Sequence, residues 1–381
     1  MKKVILIITE RRADFSRFKP ILKLIKKDKK LDYKLVVTGL HLVKNYGYTI
    51  SEIKKENFKI FSKFKMFDKN YFKINDGSEM AKAIGVAFIE LSKLIKRAKP
   101  DLILSGFDIG ANFAITVAGA HMNIPVAHIQ GGEVSGTIDE SLRHAMSKFS
   151  NFHFTANNET KKRLIKLGEV SKNIFPVGCP SIDALNAEKK IHPKIIKEKF
   201  NIDLKKEFLL IIQHPVTSEL NKSSFQIKET LKTIKKSNIQ HLVVFPNNDS
   251  GSKNILDAIK KAKLNYIPTL TLSEYKTLLC GEMILIGNSS SGIHEAASFS
   301  VPVINIGTRQ KGRYQPRNIV NANYNNIEIT KALSIVKSKK FKNKIKKINN
   351  PYGDGNSSYK IIKIIKKLKL KNFNTQKNLT Y

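Results

Sequence analysis

The chain has 381 residues, 41% of them hydrophobic, which suits two α/β cores better than one. No stretch approaches the run of about 20 apolar residues that a membrane span needs, and the two cysteines, Cys179 and Cys280, form neither a disulfide framework nor a metal pattern, as expected of ordinary thiols in a cytoplasmic protein. The net charge of +37 invites a nucleic-acid reading, but only nine of the 68 basic residues are arginine. The lysines lie along amphipathic stretches such as "KPILKLIKKDKK", whereas phosphate and base edges favour arginine's fork. Neither nucleic acid nor a membrane is expected as a partner.

In chain order, "MKKVILIIT" opens a soluble domain, because Glu10, Arg11 and Arg12 cut its apolar run short of a secretion signal. The predicted strands are 4–9, 33–39, 102–106, 125–129, 152–156 and 174–178, then 208–213, 241–246, 266–267, 283–287 and 302–307. Most are continuous apolar runs, the pattern of parallel strands buried on both faces, with helix-length amphipathic stretches between them. The fold class is α/β, with two facing Rossmann-like doubly wound domains. The lysine-rich, strand-free stretch 179–206 marks the boundary. Residues 1–180 form a first domain carrying sugar and catalytic loops, 181–370 a nucleotide-binding domain, and 371–381 a flexible tail. In such a fold the ligand lies at the C-terminal ends of the strands.

Motifs cluster at those strand ends. "ITERRADFSRFKP" (8–20) carries Arg12, Asp14, Ser16 and Arg17; Asp14 or Ser16 equally well caps the helix. "GFDIGANFA" (106–114) places Asp108 just past a strand, again a position that a cap explains. The densest polar stretch, "VAHIQGGEVSGTIDESLRHAMSKFS" (126–150), holds His128, Gln130, Glu133, Asp139, Glu140, Arg143 and His144. A capped helix does not need the glycine-rich loop before it, so acid–base work is the better reading there. "LLIIQHPVTSE" (209–219) ends a strand in His214-Pro215, and a lone histidine is more often structural.

"LIGNSSSGIHEAASFSVPVINIG" (285–307) sets Asn288, Ser289, Ser290 and Ser291 between a buried strand and a helix start. Backbone N–H groups and hydroxyls there suit a phosphate; a serine cap with a tight turn is the alternative. Seven of the nine arginines, among them Arg309, Arg313 and Arg317, sit beside strand ends or polar motifs. Walker, G-x-G-x-x-G, H-E-x-x-H and G-x-S-x-G motifs are absent from the sequence, so no cofactor and no metal is expected.

Together, "RADFS" (12–16), "TGLHLVKNYGYTI" (38–50), "GFD" (106–108), "MNIPVAHIQGGEVSGTIDESLRHAMSK" (122–148), "QHPVT" (213–217), "GNSSSGIHE" (287–295) and "GTRQKGR" (307–313) resemble the hydrolysing nucleotide-sugar 2-epimerases, enzymes of GT-B architecture. The resemblance covers nearly the whole chain. It implies an NDP-2-acetamido sugar as substrate, proton removal at C2, elimination of the nucleotide diphosphate and addition of water to the glycal. By motif position it implies Asp108, Asp139 and His214 as catalytic. It likewise implies Arg12, Ser16, Ser290, Ser291, Glu295 and Arg313 around the nucleotide. His41, Gln130, Arg143, His144, Asn288, Ser289, Gly292 and Arg309 are expected with them along the substrate.

Two positions depart from the family pattern. Many members read Gly-Asp-Arg where this chain has Phe107-Asp108-Ile109, and many carry a catalytic glutamate where it has Gln130. Glutamine cannot act as a base, so either Glu133 or Asp139 takes the proton-transfer role, or water addition is organised differently. "GFDIGAN" with "HIQGGE" looks most like the branch acting on GDP- or UDP-N,N'-diacetylbacillosamine, which leads to legionaminic acid. UDP-N-acetylglucosamine as substrate and a GT-B glycosyltransferase are the alternatives. The sequence leaves the nucleotide base and any homo-oligomer open.

Overall fold

The computed structural model describes residues 2–44, 47–68, 77–108, 110–247, 249–346 and 348–380. Its strands are β1 (Lys3–Thr9), β2 (Leu31–Val37), β3 (Ile60–Lys63), β4 (Leu102–Gly106), β5 (Val126–Ile129), β6 (Phe152–Thr155), β7 (Ile174–Pro176), β8 (Phe208–Ile212), β9 (Gln240–Val244), β10 (Tyr266–Ile267), β11 (Met283–Gly287), β12 (Val303–Ile306) and β13 (Ile319–Ala322). They form two parallel sheets, ordered β3-β2-β1-β4-β5-β6-β7 and β10-β9-β8-β11-β12-β13, with helices between successive strands except β12 and β13, which a loop joins. In each sheet the order reverses beside its first strand. Chain ends diverge there, and doubly wound folds place their ligands in that crevice.

The period-two side-chain alternation of β1 supplies two cores. Ile5 and Ile7 pack with the helices Arg12–Lys27 and Ser357–Lys367, and Leu6 and Ile8 with Ser78–Ala98 and Gly110–His121. In the second sheet Leu209 and Ile211 enter one core while Phe208 and Leu210 enter the other. Each such side chain contributes about 1.5–3 kcal/mol relative to exposure. Among the described residues no helix is long and apolar enough to cross a membrane.

The chain divides into two compact units. One comprises Met1–Glu133, Asp139–Ala184 and Tyr352–Tyr381; the other comprises Val134–Ile138 and Leu185–Pro351. This differs from a single cut at 180/181. The amphipathic helix Ser357–Lys367 leaves the second unit and buries Ile361, Ile362 and Ile365 in the core of the first. The terminal segment, expected to be flexible, is also docked: Phe373 lies against Phe152, and the Lys377 ammonium is bonded to Glu169. Nothing in the polar sequence "KNFNTQKNLT" signals that anchor.

Two strands escape the apolar-run criterion, β3 ("IFSK") and β13 ("IVNA"). Both lie at a sheet edge, with a neighbouring strand on one side only, and are half-exposed, so their sequences need not be continuously apolar.

Candidate active site

In the first unit the crevice lies beyond β1 and β4. Glu10 follows β1, is fully buried, and its Oε2 accepts the N–H of Ala111 at 2.9 Å. Asp14 accepts the N–H groups of Glu10 and Arg11 at the start of its helix, both at 2.9 Å. Asp14 is thus a helix cap. Asp108 is not a cap, since Glu10 takes that place. Phe107 and Asp108 both adopt left-handed backbone conformations, φ 70° and 54°, which turn the chain sharply after β4. The Asp108 carboxylate meets Arg143, whose Nη2 donates to Oδ2 at 2.6 Å.

Arg143 comes from the helix Ile138–Phe149 and is almost fully buried; its Nη1 donates to the Glu133 carbonyl at 2.9 Å. Burial works against the guanidinium charge, but Asp108 and Glu133 more than offset it and raise the Arg143 pKa. Glu133 is buried, and its Oε1 accepts the Gln130 amide at 3.1 Å. Gln130 itself sits at φ 62° and receives Arg17 Nη1 on Oε1 at 3.3 Å. The Arg17 guanidinium also stacks 5.1 Å from the Phe107 ring centroid. Strain in a non-glycine residue held between two ionic partners is typical of working sites. Gly132 makes this turn possible: at φ 79°, a Cβ there would lie 2.5 Å from the Thr160 carbonyl.

In the second unit the corresponding crevice lies beyond β8 and β11. Gly287 ends β11 at φ 132°, and a Cβ would fall 2.1 Å from the Ile212 carbonyl. Asn288 then clamps His214, its Oδ1 accepting the His214 N–H at 2.7 Å and its Nδ2 donating to the His214 carbonyl at 2.9 Å. His214 Nδ1 accepts the Asn247 N–H at 3.0 Å, so in the neutral ring the proton sits on Nε2.

The serine turn is half-buried and leads into a helix of one turn, Ser291–His294, followed by a 3-10 turn, Ala296–Phe299. Ser291 Oγ accepts the Ser289 hydroxyl at 3.3 Å and the Tyr275 hydroxyl at 2.9 Å, which leaves its own proton to donate. Burial and the neighbouring Glu295 push the Tyr275 pKa up, so the phenol stays a donor. The arginine loop after β12 completes the set. Arg309 Nη1 and Gln310 Nε2 donate to the Asn288 carbonyl at 3.3 and 2.7 Å, and Arg313 Nε donates to the Val134 carbonyl at 2.9 Å. Gly136 N–H in turn donates to the Arg309 carbonyl at 3.0 Å.

Several expected residues are placed differently. His41 is fully buried, with both ring nitrogens at hydroxyls, Thr9 at 2.9 Å and Thr49 at 2.6 Å; burial holds its pKa down to about 3, so it is a neutral core strut. Arg12 pairs with Glu52, and Ser16 donates to the Ala13 carbonyl of its own helix. Gly292 faces the sheet, where a Cβ would press within 2.9 Å of Val303. His144 is half-buried beside Glu140 at 3.7 Å, and burial and Arg143 lower its pKa. Ile109 lies outside the described residues.

Three participants were missed as site residues: Arg17, Tyr275 and Gln310. Arg17 lay within the arginine-rich "ERRADFSR", which offered a signal. Tyr275 in "LSEYKTLL" and Gln310 in "TRQKG" offered none, because folding alone brings them to the serine turn.

The fold and these strand-end clusters define a two-unit Rossmann-like enzyme, with arginines and carboxylates at the first switch point and arginines and hydroxyls at the second. The chain belongs to the UDP-N-acetylglucosamine 2-epimerase family, whose profile matches residues 23–366. It is 34% identical over 375 residues to the UDP-N,N'-diacetylbacillosamine 2-epimerase (hydrolyzing) of Legionella pneumophila, covering 97% of each chain. It is 32% identical over 336 residues to the UDP-N-acetylglucosamine 2-epimerase of Neisseria meningitidis, covering 87% of this chain and 86% of that one. The crystal structure of UDP-GlcNAc 2-epimerase from Neisseria meningitidis bound to UDP-GlcNAc superposes with a TM-score of 0.80 at 20% identity, over 97% of this chain and 100% of that one, a likeness of fold. The resemblance drawn from the motifs, and the GT-B-type fold expected with it, therefore hold.

Proposed function

We propose that the protein converts an NDP-linked N,N'-diacetylbacillosamine to the free 2,4-diacetamido-2,4,6-trideoxy-mannose and nucleoside diphosphate. A base takes the C2 proton, the C1–O bond breaks and the diphosphate leaves with its electron pair, giving a glycal. Water then adds, its oxygen to C1, and a proton reaches C2 from the opposite face. The observation that carries the reading is the near-complete coverage shared with the diacetylbacillosamine enzyme, with a glutamine rather than a carboxylate at position 130.

In this reading Asp108 serves as the charge partner of the buried Arg143 cation rather than as the base. It fixes Arg143, and Glu133 and Asp139 carry the proton steps. His214, whose neutral ring carries its proton on Nε2, donates to the departing diphosphate. Ser290, Ser291 and the arginines Arg309 and Arg313 stabilise its growing charge. A legionaminic-acid-type sugar is the product class this chemistry feeds.

The relative named for UDP-N-acetylglucosamine supports a second reading, the same reaction on that sugar. Incubation with UDP- and GDP-linked acetamido sugars in deuterated water tests both. Release of free nucleotide from the diacetylated donor with deuterium at C2 is expected. Turnover of UDP-N-acetylglucosamine alone favours the second reading, and product lacking deuterium excludes elimination through C2.

A further inference from the structure

The terminal segment carries an ammonium with three buried partners. Lys377 Nζ donates to Glu169 Oε2 at 2.5 Å and to the carbonyls of Ser150 at 2.6 Å and Ser147 at 2.9 Å. Those carbonyls lie in and just past the last turn of the helix Ile138–Phe149, where a cation meets the negative end of the dipole. Glu169 has partners besides Lys377: the Lys148 ammonium lies 3.0 Å from Oε1 and the buried His153 ring 3.0 Å from Oε2. The contacts particular to Lys377 are those with the helix end.

From that end a short chain of contacts runs to the site. The Ser147 hydroxyl donates to the Arg143 carbonyl at 3.1 Å and lies 3.1 Å from His128 Nδ1. Arg143 then reaches Asp108 and the Glu133 carbonyl. The segment is held independently nearby, by Phe373 against Phe152 and by Asn151 Nδ2 donating to the Thr375 carbonyl at 3.0 Å.

We propose that Lys377 is a positioning residue for the reaction: its ammonium locks the last turn of the helix Ile138–Phe149, and so fixes Arg143 against Asp108. The proposal rests on the reading of Asp108 and Arg143 as part of the active site. A small displacement of that pair would lower turnover far more than binding.

The test uses full-length Lys377→Met, Lys377→Arg and Phe373→Ala, the last loosening the same segment without touching the ammonium. Lys377→Met is expected to lower kcat by about tenfold to a hundredfold with KM within about threefold, and Lys377→Arg to restore most of kcat. Phe373→Ala is expected to lower Tm and leave kcat unchanged. In nitrogen-15-labelled protein the Arg143 Nε–H resonance shifts in Lys377→Met and stays in place in the other two. Unchanged kcat and resonance in Lys377→Met overturn the proposal, as do equal losses in Lys377→Met and Phe373→Ala. Full activity of Asp108→Asn would instead sink the reading of the site, while the Arg143 resonance still reports on the clamp.

Discussion

Arg143 donates to Asp108 at 2.6 Å, and the two are unequally exposed, the guanidinium side chain at 1% and the carboxylate at 16%. The cation is therefore locked in the protein while its partner reaches toward solvent. Removing the arginine leaves Asp108 without its charge partner and the Glu133 carbonyl without its donor. Arg143→Met should cost about 3–5 kcal/mol in urea unfolding, the usual cost of breaking a buried pair. Asp108→Asn keeps a hydrogen-bond acceptor for Arg143, so it should fold and lose about 100-fold in kcat. Equal stability of Arg143→Met and wild type would show that the pair is not a strut.

His214 depends on Asn288 in a different way, through its main chain rather than its ring. Asn288→Ala removes the partners of both the N–H and the carbonyl of His214, an expected loss of about 1–3 kcal/mol. His214→Asn removes only the ring and should leave the melting temperature nearly unchanged while abolishing most activity. The two are separated by calorimetry and turnover on the same samples. Wild-type turnover in both His214→Asn and Asp139→Asn would mean that the chemistry lies elsewhere.

The parts of this architecture that were legible in the sequence are those buried on both faces. Strands such as β1, β8 and β11 are unbroken apolar runs, and the polar motifs at their ends mark the switch points. What a side chain does at such a point was less legible. Asp14, Asp108 and Asn288 all follow or flank a strand, yet one caps a helix, one holds an arginine and one holds a backbone. For Asp108 and Asn288 the difference is set by partners 35 and 74 positions away, Arg143 and His214, whereas Asp14 meets the start of its own helix. His41 lies in a motif shared with the family but is enclosed by Thr9 and Thr49, and burial is not written in a motif.

That enclosure has a pH consequence. Burial holds the His41 pKa at about 3, against about 6.5 in an unfolded chain. Between those values the unfolded state binds the extra proton, so stability falls as pH drops from about 6.5 toward 3 and is fully present above that window. At pH 5 this group alone should remove about 2 kcal/mol relative to neutral pH. The wild type and His41→Gln should thus differ in how much stability they lose between pH 7 and pH 5, with the variant losing less. Identical losses in urea titrations at the two pH values would show that His41 is not the acid-sensitive group.

Gln130→Glu is the sharpest probe of the reaction itself. The present amide donates to Glu133 at 3.1 Å, an attractive contact that a carboxylate cannot make without a proton. Two carboxylates at that spacing share one proton, and one of them titrates well above the usual carboxylate range. Arg17, 3.3 Å from the same side chain, moderates the shift. The acidic limb of the kcat/KM profile should therefore move to higher pH in the variant. If Gln130 also sets the substrate, the ratio of turnover on UDP-N-acetylglucosamine to that on the diacetylated donor should rise. A profile and a ratio both equal to wild type would make the glutamine incidental and leave proton transfer to groups that do not sense position 130.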